Sequence, residues 1–347
     1  HKVGRPKREN CGACHFMGGG GNNVKHGDLE MALLDTTRDV DVHMGTDGAD
    51  LACGDCHTAR KHQMLGKAYS LSSMNRNRVE CETCHTALPH EDDLLNKHGY
   101  KVACQACHIP EYAKANSTKL TWDWSTAGKL RDGKPYEEED ANGDHVYMSI
   151  KGTFTWGRHV KPEYAFFDGT ASHYLLGEKF DPGRPLELNP LFGDYDDPEA
   201  KIVPLKRHRA KQIYDTKERT LIQPKLFSAT PGDGGYWGDF DWPKAAVAGM
   251  KEVGLPFSGA YGFADTVMNW PVNHMVSPKE KAVSCAECHT REGGRLASLG
   301  GFYMPGRDRS RLLDGLGSAL LLATVAGVFV HGGMRFWFAR KRDGGRS

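Results

Sequence analysis

The chain has 347 residues and ten cysteines, and every cysteine falls in a CxxC pair that is followed at once by His. The pairs are Cys11 and Cys14 before His15, Cys53 and Cys56 before His57, Cys81 and Cys84 before His85, Cys104 and Cys107 before His108, and Cys285 and Cys288 before His289. Zinc ribbons and redox CxxC pairs do not need that next His. With 17 His in the chain, chance agreement at all five places is on the order of 10⁻⁶ or less, so the pattern carries chemistry. CxxCH is the attachment signature of c-type haem: two thioethers hold the porphyrin edge and the adjacent His ligates the iron. The cofactor reading is therefore five covalently bound haem c. No cysteine remains for a disulfide or a catalytic thiol.

The chain is only 39% hydrophobic and holds 41 glycines, a thin apolar supply for its length. Porphyrin faces would add rigid apolar surface to the core. The net charge of +1 gives no basic field for nucleic acid. Bacterial thioether attachment takes place outside the cytoplasmic membrane, so the bulk of the protein is expected in the periplasm. No leader is visible at His1, and the chain is expected to be processed or incomplete at that end.

A six-coordinate haem needs a second ligand on its far face. Six histidines have the right setting for this role: His26, His43, His62, His90, His98 and His274. His62 and His90 stand at the same offset from His57 and His85, forming a short C-x-x-C-H-x₄-H repeat. So short a tether cannot easily reach round to the opposite face of the same iron, so each is expected to serve a neighbour. His98 closes the helical run DDLLNKH, and His274 precedes the fifth motif. Five haems need five distal ligands, so all-bis-His coordination is within reach with one to spare. Met17, Met44 and Met64 are weaker alternatives, because Met more often fills gaps in packing. The glycines from Gly18 to Gly21 suit a backbone lying close to something flat.

The cysteine-free stretch 111–270 is rich in Trp, Tyr, Phe, Gly and Pro. Short strands and turns are expected there, with charge-mixed pieces such as KIVPLKRHRAKQIYD extended and solvated. His145, His159, His173 and His208 read as structural residues rather than ligands. Gly315 to Met334 contain no Asp, Glu, Lys or Arg, and as a helix this run spans roughly 30 Å, the thickness of a bilayer core. Phe336, Trp337 and Phe338 then form an aromatic belt before Arg340, Lys341 and Arg342. The basic end is expected to be cytoplasmic. His331 lies near that end, where it could touch a haem b or a quinone, or simply face headgroups.

The segments VGRPKRENCGACHFMGGGGNNVKHGDL, CQACHIP followed by WDWSTAGK, KPEYAFFDG, LIQPKLF, GDGGYWGDFDW, GLPFSGAYGF and NHMVSPKEKAVSCAECH resemble the octahaem tetrathionate reductase family of multihaem cytochromes c. The resemblance runs from about residue 3 to about residue 308. It implies a compact periplasmic haem cluster with mostly bis-His irons, a mainly helical and irregular fold, and reduction of small sulfur or nitrogen oxyanions. The motif around Cys11 is similar to the fourth site of that pattern, and the first three sites have no counterpart here. In the family the substrate-binding haem lies in that part and carries a Lys ligand beside its CxxCH. No motif here has such a Lys, since Lys61 sits next to His62.

These features define an expected architecture: a multihaem cytochrome c, mainly α with much irregular structure and few short strands packed around haems, plus one C-terminal transmembrane helix. Its expected parts are a four-haem region at 1–110, a wrapping or partner region at 111–270, the fifth haem site at 271–310, the membrane helix at 311–339 and a basic tail at 340–347. The expected setting is the inner membrane, with a single pass through lipid at 312–338. The leading function is electron relay between a membrane quinol or cytochrome b subunit and a periplasmic redox protein. The alternative is a terminal reductase of tetrathionate, nitrite or hydroxylamine at one open haem. Substituting His85 is expected to remove an iron ligand and lower the yield of exported protein. Substituting His331 is expected to leave the c-type haem content unchanged, and the haem-to-protein ratio of each purified variant checks both.

Overall fold

The computed structural model describes residues 4–61, 63–66 and 74–343. The haem-motif region is built of short helices: α1 (Arg8–His15), α2 (Cys53–Cys56), α3 (Asp93–His98) and α4 (Cys104–His108). A two-residue hairpin, β1 (Ala59–Arg60) with β2 (Gln63–Met64), follows α2. Three of these helices end at or beside an attachment motif, so the CxxCH pairs sit on single helical turns. Asp92 caps α3 by accepting from the Leu94 N–H at 2.7 Å.

A nine-stranded sheet occupies the cysteine-free stretch. Its strands are β3 (Thr118–Asp123), β4 (Glu137–Glu139), β5 (His145–Met148), β6 (Gly152–Gly157), β7 (Glu163–Phe167), β8 (Leu186–Glu187), β9 (Lys201–Asp215), β10 (Thr220–Leu221) and β11 (Tyr261–Pro271). The path runs β4-β5-β6-β3-β9-β11-β8, with β7 and β10 also paired to β9. The protein is about as rich in strand as in helix, so the expectation of a mainly helical fold is corrected. The reason is that the sheet pairs strands far apart in sequence, which local periodicity does not reveal. β9 is the former "extended and solvated" piece KIVPLKRHRAKQIYD. It is extended, but Ile202, Leu205, Lys206, Ile213 and Asp215 are buried.

Two more helices, α5 (Tyr236–Asp239) and α6 (Trp242–Glu252), complete the sheet's core. Asp241 caps α6 by accepting from the Lys244 N–H, and Pro243 occupies its first turn. Ala245, Ala246 and Met250 of α6 pack with Ile213, Ile222, Tyr236 and Trp242. Tyr236 and Trp242 stack with ring centroids 3.7 Å apart. Gly249 lets α6 approach the chain closely, since a Cβ there would lie 2.0 Å from the Gln223 carbonyl.

The chain divides into two compact units, 1–284 with 298–301, and 285–297 with 302–347. The second unit contains α7 (Cys285–Cys288) and α8 (Arg311–Asp343). In it Arg295 donates to Glu287, and Arg307 bonds Asp308 and the carbonyls of Leu296 and Phe302. α8 is, among the described residues, one helix long and apolar enough to cross a membrane. Near its end Arg340 lies over the Phe336 ring and Lys341 over the Trp337 ring.

Asp215 closes the far end of β9. It is fully buried and accepts from the N–H groups of Lys217, Glu218 and Ser258 and from the Ser258 hydroxyl. Asp215→Ala would orphan these donors, at a cost of about 3 kcal/mol. A matching fall in unfolding free energy, measured by denaturant titration, is the expected outcome.

Candidate haem-ligand site

None of the ten cysteines is in a disulfide, and all are half-buried or exposed. Sulfurs from successive motifs approach one another. The Cys11 sulfur lies beside that of Cys53 and the Cys81 sulfur beside that of Cys104, and Cys56 and Cys84 are near one another. The first four attachment motifs therefore follow one another in space in their sequence order.

The histidines meet in pairs. His57 faces His274 with ring centroids 6.3 Å apart and planes 27° apart. His90 faces His108 at 6.1 Å and 11°. His43 and His85 stand 6.1 Å apart at 62°. An imidazole nitrogen binds a metal at about 2 Å and the ring centre lies about 1 Å further back, so two rings on opposite faces of one iron have centres roughly 6 Å apart. Each observed pair combines one motif histidine with one sequence-predicted distal histidine. The repeat member His90 faces His108 of the next motif and not its own neighbour His85. His274, though near the fifth motif in sequence, faces the second.

Hydrogen bonds fix how these rings are held. The Nδ1 of His57 donates to the Leu65 carbonyl at 3.0 Å, that of His98 to Leu94 at 2.8 Å and that of His289 to Pro305 at 2.7 Å. A carbonyl only accepts, so these rings carry the proton on Nδ1 and leave the Nε2 lone pair for a metal. His90 is gripped by Asn96: its N–H and Nδ1 reach Asn96 Oδ1, and Asn96 Nδ2 donates to the His90 carbonyl. His274 alone among these bonds uses a carboxylate, Asp28 Oδ2, 3.3 Å from its Nδ1. Gly66, at φ +99°, has no Cβ to strike the His57 ring, where one would come within 2.6 Å of Nδ1.

Burial, ahead of other causes, holds the imidazoles of His57 and His108 below the ordinary histidine range, favouring the neutral form a metal needs. Burial opposes charge on Asp28 too. Its hydrogen bond with His274, the charges of His274 and His26 and the Asn273 N–H outweigh this, and the carboxyl stays below its usual range.

The remaining candidates stand apart from these pairs. His26 packs edge-on to Trp270 at 4.8 Å, and burial lowers its pKa. His15 is exposed and close enough to His57 to affect it electrostatically. His62 lies outside the described residues. Met44 packs in a core with Phe16 and Leu33, while Met17 and Met64 are exposed. His159 bonds Glu111, and His145 lies beside Glu137 and Glu139. Burial, then the charges of Lys206 and Lys119, push His208 down to about 3.

Sequence reasoning missed the supports beneath the ligands: Asp28, Asp41, Asn96 and Lys114. The only local signals were the spacings HGD and DVDVH, which place acids beside histidines. Asp41 accepts from the N–H groups of His43, Met44, Met275 and Val276. The Lys114 ammonium donates to the carbonyls of Val40 and Met275 and to the Ser277 hydroxyl.

The donor set fits covalently attached haem: paired sulfurs on single turns, each with an adjacent imidazole, and opposed imidazoles one metal apart. Fold and ligands together define a multihaem cytochrome c. A family profile described as "Cytochrome c bacterial" matches residues 119–292. The crystal structure of octaheme cytochrome c from Shewanella oneidensis is similar, with a TM-score of 0.79 and 43% sequence identity. The match covers 88% of this chain and 69% of that one. No curated protein sequence matches the chain. The chain belongs to this bacterial cytochrome c family and carries covalently bound haem c.

Burial lowers the Lys114 ammonium from an ordinary 10.5 to about 8. Between those values the unfolded chain binds more protons than the folded one, so this group makes stability rise with pH across that window. Lys114→Met is expected to flatten that rise, measured as unfolding free energy at several pH values between about 8 and 10.5.

Proposed function

We propose that this protein is a membrane-anchored, periplasmic pentahaem cytochrome c that relays electrons between a membrane quinol or cytochrome b subunit and a periplasmic redox partner. The observation that carries this reading is the set of opposed imidazole pairs, His57 with His274, His43 with His85 and His90 with His108, at 6.1 to 6.3 Å. Bound haem c supplies reversible one-electron chemistry at iron. Histidines on both faces saturate a metal and leave no position for substrate, which suits relay better than reduction of a small molecule.

The chain's own residues do three things in this reading. The ten cysteines hold five haems, and His15, His57, His85, His108 and His289 give the proximal ligands. His43, His90 and His274 supply distal ligands to neighbours of their own segments, with His98, His62 and His26 as the further candidates. Carbonyls hold His57, His98 and His289, and Asn96 holds His90, with the Nδ1 side of each ring away from the metal. The approach of Cys11 to Cys53, Cys56 to Cys84 and Cys81 to Cys104 supports a continuous file of attachment points.

Support for the anchor comes from α8, with its apolar run and its aromatic and basic end. The proposed topology puts the haem units in the periplasm and the basic end in the cytoplasm of a single-pass inner-membrane protein. One helix cannot build a quinone path alone, so a membrane subunit is part of the proposal.

Low-temperature electron paramagnetic resonance tests the reading. His43→Ala, His90→Ala and His274→Ala are each expected to turn one low-spin signal high-spin and leave the others in place. Three variants with unchanged low-spin spectra would overturn the ligand pairs. A wild-type high-spin signal that shifts on adding tetrathionate, nitrite or hydroxylamine would favour the reductase instead. Purification in mild detergent is expected to retain the membrane subunit.

A further inference from the structure

We propose that Asp28 is a positioning residue that sets the redox potential of the iron between His57 and His274, making it lower than it would be with a neutral acceptor on the His274 ring. The proposal rests on the ligand reading above. Its basis is a difference among otherwise similar hydrogen bonds. The Nδ1 groups of His57, His98 and His289 donate to backbone carbonyls, and that of His90 meets the Asn96 side-chain oxygen. His274 donates to a carboxylate. Asp41 also lies near a candidate ligand, but its Oδ1 is 3.9 Å from His43 Nδ1, beyond a hydrogen bond, and is taken by the N–H groups of His43 and Met44.

A carboxylate draws the Nδ1 proton toward itself and gives the ring partial imidazolate character. That makes Nε2 a stronger donor and favours ferric over ferrous iron, which lowers the potential. The effect is large only where water does not screen the charge. The Asp28 side chain is 3% exposed, and its Oδ2 is held by the N–H groups of Asn273 and His274 at 2.7 and 2.9 Å. The same atom therefore fixes the backbone of His274 and polarises its ring.

Asp28→Asn keeps the side chain's size and removes its charge, while Asp28→Glu keeps the charge. Potentiometric titration followed by electron paramagnetic resonance reads each low-spin haem separately. In Asp28→Asn the potential of one haem is expected to rise while the others stay, with five haems retained. That haem is the one whose signal His274→Ala removes. Asp28→Glu is expected to lie closer to wild type. Unchanged potentials in Asp28→Asn would overturn the proposal, as would an equal shift in Asp28→Glu. Conversion of the haem to high-spin in Asp28→Asn would also overturn it, leaving Asp28 a purely mechanical support. If His274→Ala leaves every low-spin signal intact, the ligand reading falls instead.

Discussion

Four consecutive backbone amides, from Asn273 to Val276, are satisfied by two buried carboxylates, Asp28 and Asp41. Each unpaired buried N–H would cost about 1–3 kcal/mol, so this segment has little freedom to sit elsewhere. Met275 lies there at φ +64°, a left-handed conformation that the flanking bonds stabilise. The same short segment touches three haem-ligand neighbourhoods. Its His274 faces His57, its Val276 carbonyl accepts from Val42 beside His43, and its Ser277 N–H donates to the His108 carbonyl. Loops that carry candidate ligands from distant parts of the chain are thus registered against one another by backbone bonds.

The sheet delivers that segment to its place. β11 runs antiparallel to β9 until Pro271 pairs with Leu205, and the Val272 N–H then bonds the Pro204 carbonyl. At the start of β9, Ile202 pairs with Val102, just before the Cys104 motif. One strand therefore holds both the approach to the His108 motif and the approach to His274. Helical turns carry most of the attachment cysteines, and strand pairing fixes the chain just before the Cys104 motif.

The sequence made the covalent chemistry legible, because CxxCH is a local signature and its meaning does not depend on the fold. α8 was legible for a similar reason: its length and apolarity are properties of one uninterrupted run. The sheet was not legible. β3 pairs in parallel with β9 across a long sequence gap, and β9 itself carries Lys206, Arg207, His208 and Arg209 in a row, which reads as a solvated stretch. Only the alternating geometry of a strand lets Lys206 turn inward, where Val24 and Thr118 accept from its ammonium, while Arg209 turns outward to Glu163. The candidate distal histidines could be picked out by their setting but not paired. The C-x-x-C-H-x₄-H repeat argued against His90 serving its own motif, and its ring stands 6.1 Å from that of His108, yet nothing local could tell that His274 faces His57.

The hydrogen bonds on Nδ1 fix how the candidate ligand rings are held. An imidazole free in water carries its neutral proton on either nitrogen and turns about two side-chain bonds. Here Leu65, Leu94 and Pro305 carbonyls each bind an Nδ1–H, which selects one tautomer and one ring orientation together. Each ring then presents Nε2 with much of its rotational entropy already spent in folding. The carbonyls that do this lie 4, 8 and 16 residues from the histidines they hold, so these three rings are supported from their own stretch of chain. Asp28 is the exception, reaching His274 across almost the whole chain. Together with the N–H groups of Asn273 and His274 on the same oxygen, that bond joins the chain after the first motif to the segment after the sheet, so the placement of His274 beside His57 depends on the complete fold rather than on its neighbours in sequence.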